Sequence, residues 1–318
     1  LDARRVGERR VPAVAMWLLR AQIGVVYAFA GLAKLHGDWL AHGLPLGLWL
    51  PARADTALVG PLLERPSTAL ALSWAGALFD CTIVVFLCWR RTRLAAWLVV
   101  VAFHAITWLL FPVIGVFPLL MVAATTVFFD PDWPRRLVGR LRGGSDPTAP
   151  LDDGSHAAVA PTGRREWVVV AAVLVWALVQ VALPLRHHLY EGDHRWSGEG
   201  LRHGWNVMLV EKAGDVSFRA HDPATGATWR TDARDLYTEQ QWRVLSVEPE
   251  LIRQAAHTLA DEELERSGRR VEVRVDAQVS LNGRPSSLLI DPDVDLADEP
   301  WRLGHQRWIL PAPTDPPR

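Results

Sequence analysis

The sequence predicts a membrane α+β protein: an α-helical transmembrane bundle followed by a β-rich extracytoplasmic domain. Half of the 318 residues are hydrophobic, yet they crowd into blocks before residue 190, and the remainder has the composition of an ordinary soluble protein. Towards the carboxyl end the long apolar runs give way to period-two alternation, the mark of strands with one face in a core.

Five windows reach or approach the roughly 20 apolar residues that a helix needs to cross a bilayer. They are Ala13 to Ala33, Ser67 to Trp89, Leu94 to Phe111, Val113 to Phe129 and Trp167 to Leu185. The third and fourth are short and separated by little more than Pro112, which predicts either a tight helical hairpin or a re-entrant pair. Arginines flank the windows on one side: Arg4, Arg5, Arg9 and Arg10, then Arg90, Arg91 and Arg93, then Arg135, Arg136, Arg140, Arg142, Arg164 and Arg165. By the positive-inside rule that side is cytoplasmic. The expectation is a multi-pass plasma-membrane protein with its amino end cytoplasmic and everything after Leu185 outside, together with the loop from Lys34 to Pro66.

The expected organisation is a transmembrane helical region over residues 1–142, with four spans and an outer loop over 34–66. A flexible cytoplasmic loop over 143–165, rich in Gly, Pro, Asp and Ser, follows. A fifth transmembrane helix over 166–189 leads to an extracytoplasmic β-rich domain over 190–318. In that domain Val271, Val273, Val275, Ala277, Val279 and Leu281 alternate with polar residues up to Asn282-Gly283, a strand ending in a hairpin-type turn. A shorter strand is expected near Ser287 to Ile290, and others at Trp205 to Val210, Val216 to Ala220 and Thr228 to Thr231. Pro249 to Arg266 carries helical spacing, so the domain reads as mainly β with one amphipathic helix. The chain opens at Leu1 on an Arg-rich stretch that is neither signal peptide nor start-transfer segment, and it reads as a fragment.

Several classes of function fall away. A net charge of −1 and the lack of a Gly-rich phosphate loop argue against nucleic acid. Cys81 and Cys88, seven apart on one helix, lie about 10 Å from each other and cannot bond within it. His187, His188, His194 and His203 cluster near carboxylates, but their spacing matches no compact zinc pattern, so no metal is expected.

The residue that stands out is Lys34, at the end of the first apolar window in Tyr27-Ala-Phe-Ala-Gly-Leu-Ala-Lys-Leu-His-Gly-Asp-Trp39. The chain has only one other lysine, Lys212. Beside a hydrophobic run an ammonium is poorly solvated, a lysine so placed gives up its proton more readily, and the neutral amine is a base. The same position suits a lysine that snorkels to the membrane surface, and the residues leave both readings open. Asp80 in the second window and His104 in the third each cost a few kcal/mol in hydrocarbon unless they face a partner or water. Asp80 could orient or charge-balance a base, and His104 could hydrogen-bond a ligand or relay a proton. Alternatively they glue helices together, with Ser73, Thr82 and Thr107 as partners. Arg20, in the first window, is expected to snorkel.

Several segments together resemble the vitamin K-dependent gamma-glutamyl carboxylase family, including its bacterial relatives with a horizontally transferred transmembrane domain. They are Ala30-Gly-Leu-Ala-Lys-Leu-His-Gly-Asp-Trp39, then Phe103-His104 through Ile114-Gly-Val-Phe-Pro118 to Pro131-Asp-Trp-Pro-Arg-Arg136, and His187 through Trp205. Ser280-Leu-Asn-Gly-Arg284 and Ile290-Asp-Pro-Asp-Val-Asp295 follow in the same order. The resemblance implies that Lys34 is the base that deprotonates vitamin K hydroquinone, or a related menaquinol. The quinol anion then reacts with O2 to give a strong alkoxide base, which removes a γ-proton from a peptide glutamate; CO2 adds, and the quinone leaves as an epoxide. It further implies that His104, Asp80 and Thr107 support the site, that Trp205 and Met208 belong to a substrate or quinol pocket, and that the partners are membrane lipid and a glutamate-containing peptide or protein. Two departures stand against this. The family's amino-terminal helices are expected to be absent from this chain, and Thr107 stands where the animal enzymes are expected to carry asparagine. The competing reading is a non-catalytic envelope protein whose helices bind lipid or quinone and whose outer domain binds a partner.

Overall fold

The computed structural model describes residues 13–57, 59–131, 133–141 and 163–317. They form two units, Leu1–Leu32 with Leu78–Ala182 and Ala33–Ala77 with Leu183–Arg318. Most of the loop expected over 143–165 lies outside the described residues.

The principal helices of the first half are α1 (Ala13–Ala33), α2 (Pro66–Cys88), α3 (Arg93–Leu110), α4 (Phe117–Thr125) and α5 (Trp133–Leu141), followed by α6 (Arg164–Leu185). Among the described residues four stretches are long and apolar enough to cross a membrane: Val14–Ala33, Pro66–Cys88, Arg93–Leu110 and Arg164–Leu189. Helix α2 opens on Pro66, whose missing N–H costs nothing at a first helical position. Helix α3 stops before Pro112, because the residue ahead of a proline is pushed out of the helical region.

The third and fourth windows form a hairpin. After a 3-10 turn at Pro112–Ile114, Gly115 takes φ 65°, a left-handed conformation that glycine adopts without strain. The chain then returns as α4, and the Trp97 indole donates to the Val122 carbonyl at 3.4 Å. Helix α4 and its 3-10 extension Thr126–Phe128 cover about 18 Å, short of the roughly 30 Å hydrocarbon layer. Arg20 of α1 is tied to the end of α4. Its guanidinium donates to the carbonyls of Val127 (3.1 Å) and Phe128 (3.4 Å), groups that a helix end leaves unpaired. Gly31 lets α1 and α2 meet closely, since a Cβ there would stand 2.7 Å from Cys81 Sγ and 3.0 Å from its backbone nitrogen.

The second unit contains a four-stranded antiparallel sheet in the order β2-β1-β3-β4, built from β1 (Lys212–His221), β2 (Thr228–Thr231), β3 (Glu272–Leu281) and β4 (Ser287–Leu288). Register pairs Val216 with Ala277, Phe218 with Val275 and Ala220 with Val273, so one face carries an unbroken apolar row. Between β2 and β3 run α7 (Glu239–Leu245) and α8 (Pro249–Ser267). Helix α8 buries Ile252, Ala255, Ala256 and Leu259 in the core that also holds the alternating residues of β3. Helix α7 was not expected. Its start is a capping box in which the Thr238 hydroxyl accepts from the Gln241 N–H and the Gln241 side chain accepts from the Thr238 N–H.

One strand expectation is overturned. Trp205 to Val210 is irregular, because His203 (φ 64°), Trp205 (φ 54°) and Met208 (φ 58°) are left-handed and an extended strand needs negative φ throughout. Phe218 is 1% exposed at the centre of the sheet. Phe218→Ala is expected to lower unfolding free energy by about 3–5 kcal/mol, read by urea titration of tryptophan fluorescence in nanodiscs. A loss below about 1 kcal/mol would contradict its place in the core.

Candidate functional site

Lys34 follows α1 directly and is 6% exposed. Its Nζ lies 5.3 Å from the centroid of the Trp39 ring, a cation–π distance. Trp39 is itself buried and fixed by its indole N–H, which donates to the Ser73 carbonyl at 2.6 Å. Between the two residues the His36 N–H donates to the Lys34 carbonyl at 2.9 Å, and a single helical turn, Gly37–Leu40, carries Asp38.

Asp38 is the hub of this unit. Arg284 donates to it in bidentate fashion, Nη1 to Oδ2 at 2.9 Å and Nη2 to Oδ1 at 2.8 Å, and Asn282 Nδ2 donates to Oδ2 at 2.9 Å. Arg195 Nη1 stands 3.6 Å from Oδ2. Both turn residues come from the reversal after β3, where the Arg284 N–H donates to the Leu281 carbonyl at 3.0 Å. Asn282 and Gly283 take φ 48° and 76°, the left-handed pair that an Asn-Gly turn allows. Asn282 Oδ1 accepts the Glu211 N–H at 2.8 Å, and the Glu211 carboxylate accepts the Trp49 indole. Burial would raise the Asp38 carboxyl, but the hydrogen bonds from Arg284 and Asn282 and the charges of Arg284 and Arg195 hold it at about 2.

Arg195 is clamped by Asp193, with contacts of 3.0 and 2.7 Å to the carboxylate, and places Nη1 2.8 Å from His36 Nδ1. An arginine can only donate, so Nδ1 accepts and the ring proton sits on Nε2. That Nε2 is buried without a hydrogen-bond partner among the described residues. Burial first, and the Arg195 charge second, lower the His36 ring to about 4.

In the first unit His104 of α3 is 5% exposed, with Nε2 3.0 Å from the Tyr27 hydroxyl of α1. Phe79 of α2 stacks on Phe103 at 3.9 Å and meets Tyr27 edge to face at 5.7 Å. His104 Nδ1 is buried within this aromatic set and has no hydrogen-bond partner among the described residues. Asp80 is buried and within electrostatic reach of the Tyr27 hydroxyl. Thr107 donates its hydroxyl to the Phe103 carbonyl one turn back, at 2.8 Å. Sequence reasoning passed over Tyr27, although it opens the segment that contains Lys34.

The sequence model of the HTTM domain family matches residues 1–133, and that of the vitamin K-dependent gamma-carboxylase lumenal domain matches residues 165–315. These two matches account for nearly the whole chain, in the order of helices and sheet. The chain belongs to the vitamin K-dependent gamma-carboxylase family. No solved structure matches it.

In this carboxylase-like membrane protein the lumenal-domain match takes in α6, the sheet and the turn that holds Asp38. Trp205 and Met208 are half-buried in the irregular segment ahead of β1. The His187 ring lies 4.0 Å from that of His188 and 4.2 Å from that of His194. Among the described residues no group of three or more His, Cys, Asp or Glu could hold a metal ion.

Asp38→Asn removes the buried charge that balances half-buried Arg284, and is expected to destabilise the protein by about 3 kcal/mol in thermal unfolding; an unchanged Tm would contradict the clamp. As pH falls, the unfolded chain protonates His36 near 6.5 while the folded chain resists until about 4. Stability is therefore lost between those values. His36→Asn keeps an acceptor for Arg195, and is expected to flatten the fall of Tm across this window. Asp38 acts at lower pH: its contribution is whole above about 4 and is lost as pH falls through about 2.

Proposed function

We propose that this family member is an integral-membrane gamma-glutamyl carboxylase that uses vitamin K hydroquinone, or a related menaquinol, with Lys34 as the base. The observation that carries the reading is a buried lysine at the end of a membrane helix, held over the Trp39 ring in a segment that Asp38 pins down. The quinol supplies the driving force: O2 oxidises it to its epoxide, the second oxygen atom leaves as water, and CO2 takes the place of a γ-proton on a peptide glutamate.

Lys34 takes the hydroquinone proton on Nζ, which the structure holds 5.3 Å from the centroid of the Trp39 ring. Asp38 is a positioning residue, because its carboxylate is engaged by Arg284 and Asn282 and held at about 2. Within the first unit the set of Tyr27, Phe79, Phe103 and His104 is apolar, and His104 Nδ1 is buried there without a hydrogen-bond partner among the described residues. Asp80 and Thr107 are assigned to support of this site, and Trp205 and Met208 to the pocket for quinol or peptide. The β-rich domain is assigned to the glutamate-containing peptide on the extracytoplasmic side of the plasma membrane, with the amino end cytoplasmic. The lumenal-domain match supports that orientation.

The test is epoxide formation from vitamin K hydroquinone under O2 by the protein in nanodiscs. Lys34→Ala is expected to lower the rate by about 10²–10⁴-fold, the usual contribution of a positioned base, without loss of fold. Undiminished turnover in Lys34→Ala would overturn the assignment of the base. No epoxide from folded wild-type protein would favour a non-catalytic protein that binds lipid or quinone and an envelope partner.

A further inference from the structure

An open groove of about 500 Å³ runs along the first unit between the amino-terminal half of α1 and the segment from the end of α4 to the start of α5. Leu19, Ile23, Ala123, Val127, Phe129 and Trp133 give it an apolar lining. Its volume is in the range that holds a drug-sized ligand. None of its residues belongs to the set around His104, so the quinol proposal leaves it unused.

The end of the groove at Phe129 and Pro131 flanks Asp130, around which charge accumulates. Arg90 Nη2 and Arg93 Nη1 approach the Asp130 carboxylate at 3.9 and 3.8 Å, beyond hydrogen-bond distance. Arg20 lies within electrostatic range of Arg93, as does Arg90. Arg20 and Arg93 are fixed by backbone carbonyls, Arg20 on Val127 and Arg93 on Leu87 and Cys88, which hold the guanidiniums without neutralising them. Among the described residues Arg90 and Arg93 thus share one carboxylate, with the Arg20 charge acting on Arg93, at the mouth of an apolar groove on the arginine-flanked side of the helices.

We propose that this groove is a binding site for an anionic phospholipid, with one acyl chain along the apolar lining and the phosphate at Arg90 and Arg93. The charge asks for an anion and the lining for hydrocarbon, and an anionic lipid supplies both in one molecule. A basic residue at a membrane surface contributes about fivefold to the binding of an anionic lipid, so headgroup preference is the quantity to read.

The experiment is native mass spectrometry of the full chain in detergent supplemented with equal amounts of POPG and POPC. Wild-type protein is expected to retain one POPG in preference to POPC. Arg90, with its side chain 74% exposed, can be changed without disturbing packing, and Arg90→Gln is expected to reduce the preference roughly fivefold. Ala123→Phe fills the groove and is expected to abolish retention of both lipids while Tm is kept. Equal retention of POPG and POPC by wild type, no retained lipid, or an unaltered preference in Arg90→Gln would each overturn the proposal.

Discussion

The geometry around Lys34 depends on one buried carboxylate. Asp38 receives the bidentate fork of Arg284 and the amide of Asn282, so a turn of the β-rich domain holds the segment that follows the first membrane helix. Hydrogen bonds to a charged group contribute about 1.5–3 kcal/mol each, more than neutral ones, and the desolvation of Asp38 is offset only while its donors stay in place. The turn therefore needs left-handed backbone at Asn282 and Gly283, and it needs the Asn282 amide to face both ways, donating to Asp38 and accepting from Glu211. Lys34, four residues before Asp38, inherits this order through the His36 to Lys34 backbone bond and the packing of Trp39.

The membrane unit has a different physical character. Its polar groups are few, and most find backbone partners: Arg20 on the end of α4, Arg93 on the end of α2, Thr107 on its own helix. His104 has one ring nitrogen on Tyr27 and the other buried with no hydrogen-bond partner among the described residues. A buried polar atom left unsatisfied is costly, which makes His104 the position in this unit where a ligand oxygen would gain most.

What could be read in the sequence was whatever has a local period. Apolar length marked the spanning helices, alternation marked β3, and Asn282-Gly283 marked the turn after it. Trp205 to Val210 misled because aromatic and β-branched residues suggest a strand, whereas the backbone there reverses hand at Trp205 and again at Met208. The capping box of Thr238 and Gln241 was a local signal that went unused. The partnerships of the candidate site had no such signal. Asp38 and Arg284 are 246 residues apart and Tyr27 and His104 are 77 apart, so each looked like an isolated polar residue until the fold paired it. Lys34 was legible because lysine is otherwise almost absent from the chain and because family resemblance fell on it.

The most direct measurement of this account is hydrogen–deuterium exchange of the protein in nanodiscs with and without Arg284→Ala. The amides of His36, Leu40 and Ala41 are bonded within the segment that carries Lys34. If Asp38 holds that segment through the β3–β4 turn, their protection falls in the variant while β3 and α8 keep theirs. Unchanged protection at those amides would show that Lys34 is held by something other than the Asp38 clamp.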